Sequence, residues 1–240
     1  MIQSTLSHAA DAVRMPENAP ISALALLGAA GIVAAALLAA GVFAAAGRRK
    51  PAAWTAAGAG AVVLAYAGML LGLALASPER VLFMGARKYF CELDCHLAVS
   101  VDRVETAKTL GAATEARPAR GRFLVARVRT WFDPSTTAPW RGDAPLTPNP
   151  RTAWIVDASG RRYPVSPDAT RAAALSGLPA EGLDRPLRPG QSSATTLVFD
   201  VPANAVHPRL FVGDPPGIER LILGHENSPL HGKVLFDLGL

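Results

Sequence analysis

Charge is missing from two stretches of this chain, Ile21 to Ala46 and Ala52 to Ser77, each about 26 residues long. Cysteine is scarce: Cys91 and Cys95 are the two in 240 residues, too few for a disulfide framework. No segment carries five or six like charges in a row. The net charge is +5, yet residues 81–240 hold 19 Lys plus Arg against 16 Asp plus Glu, a balance of +3. No nucleic-acid partner is therefore expected. The chain lacks G-x-S-x-G, H-E-x-x-H and the phosphate-cradling G-x-x-x-x-G-K. Those hydrolase, metalloprotease and P-loop templates are excluded, and no catalytic residue is assigned. There is no internal repeat, and no low-complexity tract outside the Ala-rich runs.

What is present begins with those two runs. Roughly 20 helical residues cross a bilayer, and without water each backbone group must bond internally, so both runs are expected as transmembrane helices. Arg48-Arg49-Lys50 separates them, and such cations stay cytoplasmic. The flanks are mixed: Asp11, Arg14 and Glu17 before, Glu79, Arg80, Arg87 and Lys88 after. The expected location is a bacterial inner membrane with both termini periplasmic; the excess of Arg over Lys and the abundant Ala read as a GC-rich genome. A cleaved signal peptide fits less well, since its apolar stretch is roughly 7–15 residues after a basic start. Gly58, Gly60, Gly68 and Gly72 offer small-residue faces for close helix packing, within the hairpin or against a partner. Neither helix carries a charge, which argues against transport. The expected organisation is a tail (1–20), a helical hairpin (21–77), a linker holding the cysteines (78–95) and an all-β, immunoglobulin-like sandwich (96–240). Its partners are the lipid bilayer and other envelope or membrane-complex proteins.

After Pro78 the long helical pattern ends. Residues 81–90 read as an apolar linker. Short runs rich in Val, Leu, Phe and Trp follow, punctuated by Pro, Gly, Asn and Asp. Strands are expected at 97–104 and 122–131, the latter with Leu124, Ala126 and Val128 on one face and Arg127 and Arg129 on the other. A long loop (133–150) precedes a hairpin (152–165) that turns at Asp157-Ala158-Ser159-Gly160. One short helix is expected within 168–183, a turn at Pro189-Gly190, and strands at 194–201, 210–212, 218–223 and 234–240. Such short strands suggest a β-sandwich, with a barrel as the alternative.

Two stretches carry a resemblance: Trp154-Ile155-Val156-Asp157-Ala158-Ser159-Gly160-Arg161-Arg162-Tyr163, and Leu187-Arg188-Pro189-Gly190 leading to Val198-Phe199-Asp200-Val201-Pro202. They resemble the telokin-like, immunoglobulin-fold domains of bacterial exported proteins, over about half of the outer domain. The resemblance implies an envelope-attached domain and brings no catalytic residues. The two-helix anchor, the cysteine pair and the His-bearing C-terminal stretch depart from it.

One constellation has chemical content. Cys91-Glu92-Leu93-Asp94-Cys95-His96 packs two thiols, two carboxylates and an imidazole together, and His225, Glu226 and His231 lie near the C-terminus. A disulfide requires a turn between the cysteines, because four strand residues span about 13 Å and the bridge needs Cα atoms within about 7 Å. The alternative is a metal site, with copper the preferred ion: Cys91, Cys95 and His96, closed by His225 or His231 with Glu226 nearby. The layout resembles the copper-bearing subunit II of haem-copper oxidases, which uses C-x3-C and a later His; here His96 follows Cys95 directly and no Met completes the set. A thiol-redox site favours C-x-x-C, and covalent haem needs C-x-x-C-H, one residue shorter than this spacing. Beside Asn, Ser and Pro, His225 and His231 also suit turn-capping roles, and Glu226 a solvated loop position. No cofactor is assigned on the primary reading.

Overall fold

A computed structural model describes residues 12–15, 19–91, 95–111 and 116–240. The chain divides into two compact units: Met1–Met15, Arg80–Pro215 and Lys233–Leu240 form one, and Pro16–Glu79 with Pro216–Gly232 the other.

The second unit contains two helices, α1 (Ala19–Ala45) and α2 (Arg49–Ala76). Their 27 and 28 residues give lengths of about 40 Å at 1.5 Å per residue. Both are long and apolar enough to cross a membrane. The break follows from Gly47, whose φ of 73° suits glycine. Arg48 N–H donates to Phe43 O at 2.8 Å and Gly47 N–H to Ala44 O at 3.0 Å, closing α1 with a Schellman turn. Arg49 and Lys50 form the first turn of α2 rather than a free link. The apolar side chains point outward: Ile21, Leu24, Leu38, Val42, Leu64 and Leu75 are about 70% exposed. A Cβ added at Gly58, Gly60, Gly68 or Gly72 would meet nothing within 4 Å, so these glycines do not serve the expected close packing within the hairpin.

The expected strand at 218–223 is instead a 3-10 turn, Ile218–Leu221, in the helical unit. Ile218, Leu221 and Ile222 recur at one-turn spacing, and the turn pattern wins over the short apolar run.

The β unit is built from β1 (Ala12–Met15), β2 (Arg80–Leu82), β3 (Arg87–Phe90), β4 (Leu97–Leu110), β5 (Arg117–Phe132), β6 (Thr152–Val156), β7 (Arg162–Pro164), α3 (Pro167–Leu175), β8 (Ser192–Val201), β9 (Arg209–Gly213) and β10 (Val234–Asp237). One sheet has the order β1-β3-β4-β5-β8, the other β2-β10-β9-β6-β7. Leu124, Ala126 and Val128 of β5 and Phe199 and Val201 of β8 join Ile155, Leu210, Val212 and Phe236 of the other sheet in one core, all fully buried. Each such large side chain contributes about 2 kcal/mol of burial free energy. Arg127 and Arg129 point away from it, as the alternation predicts. On that outer face α3 covers Phe123, Val125 and Val198 with Ala169 and Ala173. Ser166 caps α3 by accepting from Ala169 N–H at 3.4 Å, and Pro167 opens it.

Two expected boundaries are corrected. The linker at 78–95 contributes β2 and β3, and the N-terminal tail contributes β1, whose Val13 and Met15 enter the core. Runs of three or four residues are too short for periodicity to reveal. The pairings link distant parts of the chain. β1 lies parallel to β3, with Arg14 opposite Tyr89, and β2 lies parallel to β10. Strands from before α1 and after α2 thus belong to one sheet.

Candidate functional site

Cys91 and Cys95 form a disulfide with Cα atoms 4.3 Å apart. The turn expected through Glu92, Leu93 and Asp94 lies outside the described residues. Cys91 N–H donates to Met15 O at 2.9 Å, so the bridge sits where β1 and β3 end. His96 follows, largely buried; its Nδ1 is hydrogen-bonded to Thr136 Oγ1 at 2.6 Å and its ring stacks on Phe132 with centroids 5.5 Å apart. Sulfurs bonded to each other offer no thiolate, and thiolate is the form that binds metal.

His225, Glu226 and His231 belong to the helical unit. His225 Nδ1 accepts from Asn227 N–H at 3.0 Å, and His231 Nδ1–H donates to Gly232 O at 2.6 Å. Ser228 Oγ donates to Ile222 O at 2.8 Å. These bonds are the turn-capping roles foreseen for such histidines. Glu226, by contrast, is buried rather than solvated. Among the described residues no group of three or more His, Cys, Asp or Glu is placed to hold a metal.

Beside the disulfide lies a feature the sequence reading missed. Asp133 Oδ2 accepts from Tyr89 Oη at 2.7 Å, while its Oδ1 accepts from Ser135 N–H at 2.9 Å and Ser135 Oγ at 2.6 Å. Burial would raise the Asp133 pKa, but the hydrogen bonds from Ser135 and Tyr89 outweigh it and hold the carboxyl below its usual range. Burial, then the bond to Asp133, push the Tyr89 phenol up. The same cage recurs at Asp157, which accepts from Ser159 N–H at 2.9 Å, Ser159 Oγ at 2.6 Å and Tyr163 Oη at 2.7 Å. The Ser159 and Tyr163 bonds lower the Asp157 pKa to about 2.

The outer face of the first sheet holds a cleft of about 410 Å³. Trp131 forms its floor, with the Arg87 guanidinium 3.8 Å from the ring centroid. Arg129 donates through Nε at 2.9 Å to Asp102 Oδ2, with Nη2 at 2.7 Å from the same oxygen. Arg129 Nη1 also donates to Ser192 Oγ at 3.3 Å. The register of β4 against β5 shifts between Val101 and Arg103; this irregularity at Asp102 re-aims its side chain. Five arginines occupy this face, Arg14, Arg87, Arg103, Arg127 and Arg129, against three carboxylates, Asp102, Glu105 and Asp200. The signal that could have found it is the alternation Arg127, Arg129, Trp131 on the solvent side of β5.

Beneath this face are buried cations. Lys88 is fully buried, and its Nζ donates to Val212 O at 2.6 Å. Arg151 pairs with Asp214, and its guanidinium lies 3.9 Å from the Phe90 ring centroid.

No family model matches the chain, and no curated protein does. Two solved structures are similar. A conserved hypothetical protein from Bacillus anthracis is 14% identical over 49% of this chain and 82% of that one, with a TM-score of 0.39. MPT63, a secreted protein from Mycobacterium tuberculosis, is 11% identical over 66% of this chain and 97% of that one, also with a TM-score of 0.39. Similarity of this size assigns neither a fold family nor a function.

Proposed function

We propose that this is a non-catalytic, membrane-anchored envelope protein. In this reading α1 and α2 cross a bacterial inner membrane as a hairpin, Arg48-Arg49-Lys50 faces the cytoplasm, and an immunoglobulin-like β unit stands in the periplasm with both termini. The observation that carries it is the pairing of β1 with β3. One sheet is built from chain on both sides of the helices, so the hairpin must leave and re-enter on the same side. The outward-facing apolar surfaces of both helices support a lipid surrounding. The disulfide suits an oxidising compartment. Arg87 and Lys88, the cations that follow α2, are engaged within the β unit, on Trp131 and in the core.

The β unit acts by binding. Trp and Arg are enriched at protein interfaces, and the excess of cations on the outer face selects an acidic partner protein of the envelope. The test is a pair of fusions. Alkaline phosphatase after Leu240 should be active, and green fluorescent protein at the same place dark. A fluorescent C-terminal fusion overturns the orientation.

A further inference from the structure

Pro216–Gly232 branches from the β unit between β9 and β10 and belongs with the helices. It is fastened to α2 at two points. Tyr66 Oη donates to Leu221 O at 2.7 Å. Further along the segment, Gly232 N–H donates to Ser77 O at 3.3 Å, and a Cβ on Gly232 would fall 2.6 Å from Glu79 N. Tyr66 precedes the last residue of α2, Ala76, by ten positions, or about 15 Å of helix. The segment therefore runs back along α2.

That places it at a definite depth. A span starting at Pro51, just after Arg49 and Lys50, needs roughly 20 residues to cross the hydrocarbon and ends near Leu71. Tyr66 then lies about 7 Å below the outer boundary. In that layer a free carbonyl is costly, and the Tyr66 hydroxyl satisfies the one on Leu221. The rest of the segment is rich in internal bonds: Arg220 N–H to Gly217 O (3.3 Å), Ile222 N–H to Glu219 O (3.1 Å), His225 N–H to Ile222 O (3.2 Å) and Ser228 N–H to His225 O (2.8 Å). Ile218, Leu221 and Leu230 are 69%, 49% and 70% exposed. In a 3-10 turn residues three apart eclipse, so Ile218 and Leu221 project together.

The geometry points to Pro216–Gly232 as a third membrane-embedded element, a re-entrant loop whose Ile218 and Leu221 contact the acyl chains of the outer leaflet. This rests on the anchor reading above. The occupant is lipid because the loop is bonded to an apolar helix within its span and presents Ile218 and Leu221 outward; the exposed Arg220 between them is long enough to carry its charge up to the headgroups.

The test uses the full-length protein in phosphatidylethanolamine–phosphatidylglycerol vesicles. Nitroxide labels are placed at Ile218→Cys, Leu221→Cys and Leu230→Cys, with Leu38→Cys on α1 and Leu175→Cys on α3 as references; the native cysteines are bonded and do not react. The labels at 218 and 221 should match Leu38→Cys, with frequent collisions with oxygen and few with a water-soluble nickel chelate. Leu175→Cys should show the reverse. Adding Tyr66→Phe should raise nickel collisions at position 221 and leave Leu38→Cys unchanged. Nickel access at 218 and 221 alongside a lipid-like Leu38→Cys overturns this inference alone. Shielding from both agents also overturns it, because protein then covers the loop. Nickel access at Leu38→Cys overturns the anchor itself.

Discussion

Tyr89 donates its hydroxyl to Asp133 Oδ2 at 2.7 Å across 44 residues, joining β3 to the turn after β5. With both residues buried, the bond resists exchange with water. Tyr89→Phe should lower stability by about 1–2 kcal/mol, since it leaves a buried carboxylate short of one donor. Thermal melting of the full chain in detergent checks this. An unchanged melting temperature would show that the bond contributes nothing net.

Asp157 supplies the pH dependence. Its pKa is about 2 in the folded protein against about 3.9 in an unfolded chain. A lowered carboxylate pKa adds stability above pH 4, and that contribution disappears as pH falls from about 4 to about 2. Asp157→Asn should lower stability at pH 7 and flatten the acid limb of the unfolding curve. Parallel acid limbs for the two proteins would count against the assignment.

The bridge between Cys91 and Cys95 closes a short loop. The chain-entropy model gives about 2 kcal/mol for a loop this small. Cys91→Ser should therefore lower the melting temperature modestly and leave the far-ultraviolet spectrum unchanged. The same preparation tests the copper alternative: elemental analysis of oxidised full-length protein should find no stoichiometric copper. Copper that is lost in Cys95→Ser would reinstate the metal reading.

Gly121 marks a close crossing of backbones. A Cβ there would fall 2.6 Å from Ala203 N and 2.8 Å from Pro202 Cα, and backbone cannot step aside as a flexible side chain can. Gly121→Ala should cost about 3 kcal/mol. Gly58→Ala, with nothing within 4 Å, should be tolerated. Equal effects at the two sites would refute the steric argument.

What was legible in the sequence follows from range. The helix pair could be read because about 26 uncharged residues are a long signal. The faces of β5 and the Asp157 turn could be read because alternation and turn chemistry are local. β1 and β3 were not legible, being four residues each and separated by two helices. The Tyr89–Asp133 bond joins residues whose neighbours in sequence give no hint of it. Asp102 meets Arg129 only because the ladder slips between Val101 and Arg103, and no local pattern announces such a slip. Ile218–Leu221 was misread because an apolar run of that length suits a strand or a turn of helix equally.

The arginine face yields the most consequential prediction. Arg129 and Asp102 are partly exposed, at 44% and 22% for their side chains, so breaking their pair should cost under about 1 kcal/mol. Arg87→Glu combined with Arg129→Glu should thus leave the β unit folded while reversing the charge at the cleft. A photo-crosslinking residue in place of the exposed Ser192, at the cleft rim, should capture a protein with an acidic contact segment in intact membranes. The adduct should disappear in the double variant, because desolvated charge pairs and aromatic anchors carry most interface energy. Trp131→Ala should weaken it as well. An adduct unaffected by all three changes would show that the partner engages another surface, and the cationic face would then be only a solvated side of the sheet.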